Sequence, residues 1–323
     1  MDRLDSLMQH LDCVESDSPQ TALLHAQVAS NAHRFSEARS YLAKTAASAE
    51  QAVSAKRLSL SIDQACGDNL EAALETRQRM ADESGRAEDL VPLGALLADL
   101  GGFDEADEVY ERALRHYRDT SPFGIAWVCF QRGVLWGELV SQPQPSHAAT
   151  WYRRAIDYLP CYVRARVHLA ETCLELGRPA DAESLLVSVV NSGDPEVNWR
   201  LADALFAMGR QEEAEAQMSM ARSGFDSLLR KYSLAFADHA SEFYLSRGKD
   251  YEKALELAQE NLANRPTPRA FELAHKAAVQ AGEISSAYGL VQEARKKWGD
   301  SDAFRLSSLA AANHADGSLE GLC

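Results

Sequence analysis

Small and apolar residues recur along the chain at the spacing of helix faces. Within residues 97–114, LADLGGFDEADEVYERAL, Ala106, Tyr110 and Ala113 are separated by four and then three positions. Positions i, i+4 and i+7 share one face of an α-helix, so this stretch predicts an amphipathic helix. Valine, isoleucine and threonine do not form the alternating runs typical of half-buried strands. The pattern therefore predicts an all-α chain.

The alanine of this stretch belongs to a series, and in several copies it follows a glycine by five positions. Successive members are separated by 34, 34, 42, 34, 32, 40 and 33 residues. A period near 34 indicates stacked two-helix units, each of which is too small to bury its apolar face alone. Small residues at these positions predict close helix crossings. The series comprises Ala38, Ala72, Ala106, Ala148, Ala182, Ala214, Ala254 and Ala287.

The repeat resembles the tetratricopeptide repeat, a unit of two antiparallel helices. The resemblance covers roughly residues 19–299 and implies a right-handed α-α superhelical solenoid of about eight helix pairs. It also implies that the first helix of each pair lines the concave surface. The matching consensus residues in the third, fourth and seventh copies are Gly101, Phe103, Ala106, Tyr110, Ala113, Tyr152, Ala155, Pro160, Tyr251, Ala254 and Pro266.

Three segments are predicted along the chain. Residues 1–18 are expected to form an N-terminal capping helix, residues 19–299 the repeat array, and residues 300–323 a C-terminal capping helix and tail. Longer links are expected near residues 115–125, 141–146 and 223–233. First helices are expected to end at glycines, which adopt a left-handed cap at little cost. These glycines are Gly101, Gly177, Gly209 and Gly282.

The composition narrows the classes of partner. The net charge of −15 disfavours nucleic acid and acidic membrane surfaces, because both are bound through clustered Lys and Arg. The six cysteines form no Cys-x-x-Cys pair, so neither a zinc site nor a thioredoxin-like motif is indicated. No signal peptide and no apolar run of membrane-spanning length is found. We therefore expect a cytoplasmic protein.

The sequence contains no motif that indicates an enzyme. Dinucleotide-binding, P-loop, zinc-protease and serine-hydrolase motifs are missing, so we expect no catalysis and no cofactor. Two His-x-x-Glu pairs, His168 with Glu171 and His239 with Glu242, could each turn two metal-ligating side chains to one helix face. They lie two repeats apart, so we expect them to be polar lining of the groove rather than a metal site.

A peptide-binding groove is predicted in the middle of the array. The fourth to sixth copies concentrate aromatic residues and arginines on the expected concave face, and these residue types dominate binding hot spots. In the alternative interpretation, the aromatic rings pack between helices. The last two copies offer mostly charged residues, including Arg269 and Lys276 of the eighth, and we expect rim charges to contribute little. The predicted groove residues are Trp127, Phe130, Gln131, Arg164, His168, Glu171, Trp199, Arg200, Asp203 and His239.

These observations favour a non-catalytic scaffold that binds a peptide segment of a partner protein in the groove. The segment would carry an apolar anchor and an acidic group. The chaperone-binding carboxylate clamp of some relatives is incomplete, since Arg164 and His168 resemble its third repeat but Val91, Ala95 and Gln131 do not complete it. Homo-oligomerisation is not indicated. The alternative function is a small-molecule- or metal-responsive regulator, or an accessory subunit of an enzyme complex.

Overall fold

The computed structural model describes residues 18–45 and 48–310, and all regular structure in these ranges is helical. The expected N-terminal capping helix lies outside the described residues apart from Ser18. The same holds for the tail from residue 311 onward. The prediction of an all-α superhelical repeat fold is confirmed.

Sixteen α-helices are defined in the described ranges. Most are 13 to 15 residues long, and the short α16 follows the last pair. The helices are α1 (Pro19–Asn31), α2 (Phe35–Ala43), α3 (Ala52–Cys66), α4 (Leu70–Ser84), α5 (Ala87–Asp99), α6 (Phe103–His116), α7 (Pro122–Val134), α8 (Pro145–Tyr158), α9 (Val163–Glu175), α10 (Pro179–Val187), α11 (Pro195–Ala207), α12 (Gln211–Leu245), α13 (Tyr251–Asn264), α14 (Pro268–Gln280), α15 (Ile284–Trp298) and α16 (Asp302–Leu306).

Consecutive helices pack into pairs, and two pairs depart from the regular unit. A π-helical segment, Leu135–Leu139, continues α7 before the chain turns into α8. Helix α12 contains a non-helical residue, Tyr232, with φ −144° and ψ 52°. It therefore consists of two helices joined at a kink. The first pairs with α11 and the second with α13.

The recurring alanine is the fourth residue of the second helix in each pair, and it is buried. The second copy corrects the predicted register by one residue, because Ala72 is exposed and Ala73 is buried. In this copy two residues, Gly67 and Asn69, adopt left-handed conformations before α4 begins at Leu70. The extra turn residue moves the close crossing from Ala72 to Ala73.

The predicted glycine turns are confirmed. Gly101, Gly177, Gly209 and Gly282 have φ of 90°, 69°, 76° and 78°, the region where a Cβ is unfavourable. In the first and seventh copies the same turn position holds His33 and Lys249, with φ of 54° and 47°. These two turns are strained, because a side chain stands where glycine fits best.

The array closes on itself, because turns of the first three copies contact the last copies. His33 Nδ1 donates to the carbonyl of Leu234 at 3.0 Å, and Asn264 Nδ2 donates to the carbonyl of His33 at 3.0 Å. The ring of Trp298 lies 2.6 Å from the position that a Cβ on Gly67 would occupy. We call these contacts, together with those of Gly101 against α16, the seam. The concave surface is therefore the inside of one complete superhelical turn, which we call the ring.

Candidate functional site

The inner surface of the ring carries a ladder of ion pairs between first helices of neighbouring repeats. Each pair joins one repeat to the next, and the distances are 2.6 Å for Glu138–His168 and 3.7 Å for Glu242–Arg269. The remaining rungs are Glu171–Arg200 and Glu196–His239.

One contact of the ladder crosses the interior. Arg269 Nη1 in the eighth copy lies 3.9 Å from Glu138 Oε2 in the fourth. The two residues are separated by four repeats, so this approach is possible only because the array curves round. The ladder residues therefore lie on one continuous inner surface.

The ladder shifts the pKa values of its histidines. Burial alone would lower the pKa of His168, but the hydrogen bond to Glu138 and the charge of that carboxylate raise it above 6.5. Burial is likewise outweighed at His239, where Glu196 and Asp238 raise the pKa to about 10. The surroundings therefore favour the charged form of both histidines, which makes each of these rungs a salt bridge.

Each of these histidines pairs with a glutamate of the preceding repeat, not with the glutamate three positions later in its own helix. In the described ranges, no group of three His, Cys, Asp or Glu residues is arranged to hold a metal ion. Within each His-x-x-Glu motif, the histidine and the glutamate therefore pair with different residues.

The aromatic residues of the predicted groove pack mainly between helices. Trp199 is 2% exposed and its ring centroid lies 5.6 Å from that of Phe243. Phe130 is buried and its ring contacts Tyr152 and His168. Trp127 is half-buried and stacks on Phe123 at 6.4 Å. The rings support the repeat interfaces, and their edges reach the inner surface only in part.

The polar groove residues fall into two groups. The structure brings His168, Glu171, Arg200 and His239 together in the ladder, and Asp203 joins it through Arg200 at 3.7 Å. Arg164 is exposed, and Gln131 is half-buried. Neither Arg164 nor Gln131 takes part in the ladder.

A cavity of about 630 Å³ opens on the inner surface between α11, α12 and α14. Its wall combines cations, acids and apolar side chains. Of the predicted groove residues, Trp199 and Arg200 line it, and their buried Nε1 and Nε donors have no acceptor among the described residues. The other lining residues are Glu242, Leu245, Ser246, Arg269, Glu272, Leu273, His275, Lys276, Val279, Gln280 and Ser308.

The repeat register predicts Arg269 and Lys276 on the groove face, as mostly solvated charges. Arg269 is 63% exposed, and its two nearest carboxylates are 3.7 and 3.9 Å away. By contrast, Arg132 holds Asp107 through two bonds of 2.6 Å. Arg269 is therefore only loosely paired. The signal that could have identified the site was the joint presence of cations and Leu273 or Val279 on one helix face.

No protein-family model matches the sequence, and no curated protein is significantly similar to it. Yeast Tom70 is 16% identical over 95% of this chain and 66% of its own, with a TM-score of 0.54. A chain of the APC/C hetero-tetramer Cut9–Hcn1 is 14% identical over 95% of this chain and 58% of its own, with a TM-score of 0.51. This chain thus spans about three fifths of the length of these two proteins.

A thermophilic TPR protein from Thermus thermophilus, TTC0263, is 21% identical over 58% of this chain and 99% of its own, but its TM-score is only 0.43. Identities this low establish fold and nothing further. No helix in the described ranges is long and apolar enough to cross a membrane. With its period of about 34 residues, its left-handed turns and its buried small residues, the chain is a TPR-like repeat protein by fold.

Proposed function

We propose that the chain is a non-catalytic adaptor that binds a peptide segment of a partner protein on the inner surface of the ring. The segment carries an acidic group and an apolar anchor, and it docks in the cavity between the sixth and eighth copies. The observation that carries the proposal is the composition of this cavity. It places Arg269 and Lys276 beside Leu273 and Val279 in a protein of net charge −15.

The cations of the cavity have capacity for a further carboxylate. Arg269 is loosely paired, and Lys276 forms no ion pair within the described residues. A carboxylate of the peptide would pair with Arg269 and Lys276, and an apolar side chain would cover Leu273 and Val279.

The centre of the array is less suited to the same role. There the side chains of Arg200 and His168 are already neutralised by Glu171 and Glu138, and a ligand would have to displace these partners. The proposed site keeps Trp199 and Arg200 from the predicted groove and moves towards the eighth copy. The similar fold of the Cut9–Hcn1 hetero-tetramer supports an adaptor role, since that protein assembles with another chain.

The test is selection of peptides from a random display library, followed by fluorescence anisotropy with the enriched sequences. We expect the selected peptides to combine Asp or Glu with an apolar residue. Arg269→Glu and Lys276→Glu should each weaken binding about tenfold or more, which corresponds to at least about 1.4 kcal/mol. Lys296→Glu is the matched control, because Lys296 is exposed on α15 outside the cavity and carries the same charge change.

Equal affinity in the cavity variants and the wild type would refute the proposed site. The alternative, a small-molecule regulator, is tested by thermal shift with free dicarboxylates. A stabilisation by these acids that is lost in Arg269→Glu, with no enrichment of peptides, would favour that alternative.

A further inference from the structure

The seam joins repeats that lie at opposite ends of the chain. On one side are the turns of the first three copies, represented by His33, Gly67 and Gly101. On the other side are Leu234 and Asn264 of the seventh copy, Trp298 at the end of α15, and α16. Stacking of neighbours alone does not require any of these contacts.

His33 contributes to the seam at a cost to its own turn. Its φ of 54° is a conformation in which most copies have glycine. A side chain at such a position is unfavourable unless other contacts compensate. Contacts across the seam compensate for this unfavourable conformation. The imidazole of His33 donates to the carbonyl of Leu234, and the carbonyl of His33 accepts from Asn264.

Trp298 forms the apolar part of the seam. Its side chain is buried, its ring fills the space beside Gly67, and its Nε1 donates to the carbonyl of Pro266 at 2.9 Å. The partly buried side chain of Leu70, in the second copy, packs on the same C-terminal core. This packing fixes the position of the end of α15 against the second copy.

The C-terminal segment that forms one side of the seam also forms part of the cavity wall. Positions Asp302 and Leu306 of α16 lie against Gly101, 3.2 and 3.3 Å from the position that its Cβ would take. Two residues after Leu306, Ser308 lines the cavity, and its N–H and Oγ donate to Glu272 Oε1 at 2.7 and 2.9 Å. Residues 298–308 therefore connect the seam to one wall of the cavity within a single short stretch.

We propose that the seam is a clasp coupled to the cavity, so that closing the ring forms the binding-competent cavity and a bound peptide holds the ring closed. This inference rests on the proposed function for its ligand. The coupling is reciprocal by thermodynamic necessity: if closure strengthens binding by a given factor, binding strengthens closure by the same factor. The ligand therefore selects between an open and a closed superhelix.

Two seam variants and two matched controls test the proposal in the full chain. His33→Gly removes the imidazole and relieves the strain of the turn, so the variant should fold. Lys249→Gly relieves the equivalent strain in the seventh copy, away from the seam. Trp298→Ala removes the apolar contact, and Tyr288→Ala truncates an exposed ring in the same helix.

The first readout is hydrogen exchange, which needs no ligand. In both seam variants we expect at least threefold faster exchange in residues 32–35, 67–70 and 299–310, with no change in α9. Both controls should exchange like the wild type. Wild-type exchange in residues 299–310 of both seam variants would overturn the link between seam and cavity.

The second readout is the affinity for a selected acidic–apolar peptide. We expect about threefold or more loss in the seam variants and wild-type affinity in the controls. Saturating peptide should slow exchange at residues 32–35 of the wild type. Faster seam exchange combined with wild-type affinity would overturn the coupling. If the library yields no such peptide, the proposed function fails, whereas the exchange data still decide whether seam and cavity wall move together.

Discussion

At the scale of the residue, the fold depends on small side chains placed where helices cross. Ala106 and Ala148 are fully buried at the fourth position of their helices, and Tyr110 and Tyr152 lie one turn after them with 1% exposure. A methyl group at the crossing lets the backbones approach, and the tyrosine ring fills the wider space beyond it. The packing of helices in a repeat thus depends on the size of a few side chains.

The one-residue correction in the second copy provides a test of this interpretation. Ala73→Leu should overpack the crossing and lower the free energy of unfolding by about 1–3 kcal/mol. Ala72→Leu, at the exposed neighbouring position, should change it by less than about 0.5 kcal/mol. Urea denaturation of the two variants measures both. The opposite order of effects would restore the register expected from the sequence.

At the scale of the element, ion pairs add to the apolar packing that holds neighbouring helices together. Arg132 of α7 holds Asp107 of α6 with two bonds and also reaches Glu111, while its guanidinium lies 4.0 Å from the Trp151 ring. On the inner surface the ladder repeats the arrangement between first helices. Charges of opposite sign therefore reinforce crossings that the buried side chains already define.

Removing one partner of the buried pair should be costly. Asp107→Ala leaves the Arg132 guanidinium, which is 9% exposed, with Glu111 as its remaining carboxylate. An uncompensated buried charge costs about 3–5 kcal/mol, and we expect about 3 kcal/mol because Glu111 remains. Urea denaturation measures the loss. Glu108→Ala, an exposed position in the same helix, serves as the control and should be nearly neutral.

The rung between Glu196 and His239 should make stability depend on pH. The folded-state pKa of His239 is raised from 6.5 to about 10, so the pair's contribution is complete below pH 6.5 and is lost as the pH rises towards 10. The pKa of Glu196 is lowered, so this carboxylate stays ionised throughout. We expect the melting temperature of the wild type to fall more steeply from pH 7 to 9 than that of His239→Gln.

The control for this prediction is His116→Gln, which changes an exposed histidine of α6 and should keep the wild-type slope. If His239→Gln also keeps the wild-type slope, the rung does not act as a salt bridge in solution. Comparing the slopes of melting temperature against pH among the wild type, His239→Gln and His116→Gln cancels the contributions of titrating groups that all three proteins share.

At the scale of the whole molecule, closure of the ring changes how far a local loss of stability extends along the array. In an open repeat array each unit senses only its neighbours, so damage at one end fades before it reaches the other. Here the first copies contact the seventh and eighth directly. The first two and the last two copies should therefore gain or lose protection from hydrogen exchange together.

A helix-breaking substitution in the last repeat tests this prediction. Ala278→Pro in α14 should cost about 3 kcal/mol or more, because proline removes a helical hydrogen bond and clashes with the preceding turn. We expect faster hydrogen exchange in residues 32–35 and 67–70 of the first two copies, with α9 in the middle of the array unchanged. Exchange that increases only near α14 would show that the ring behaves as an open array in solution.

The repeat period, the helix pairs, the glycine turns and the buried Ala and Tyr positions follow from the sequence by itself. They depend on interactions within a unit and with its neighbour, and those interactions recur each time the pattern recurs. The predicted register was wrong at Ala73 because a second left-handed residue, Asn69, lengthens the turn by one position, which the Gly-to-Ala spacing alone does not reveal.

The tertiary structure alone decided which residues meet inside the ring. Glu138 and Arg269 are 131 positions apart, and His33 and Asn264 are 231 apart. Such pairs depend on curvature that accumulates over several repeats, and a small rotation at each helix crossing changes the sum. Packing between neighbouring units buries Trp199 against Phe225 and Phe243 and places Arg269 and Lys276 at a cavity. Local rules determine each unit, whereas the position of distant units depends on the geometry of every crossing between them.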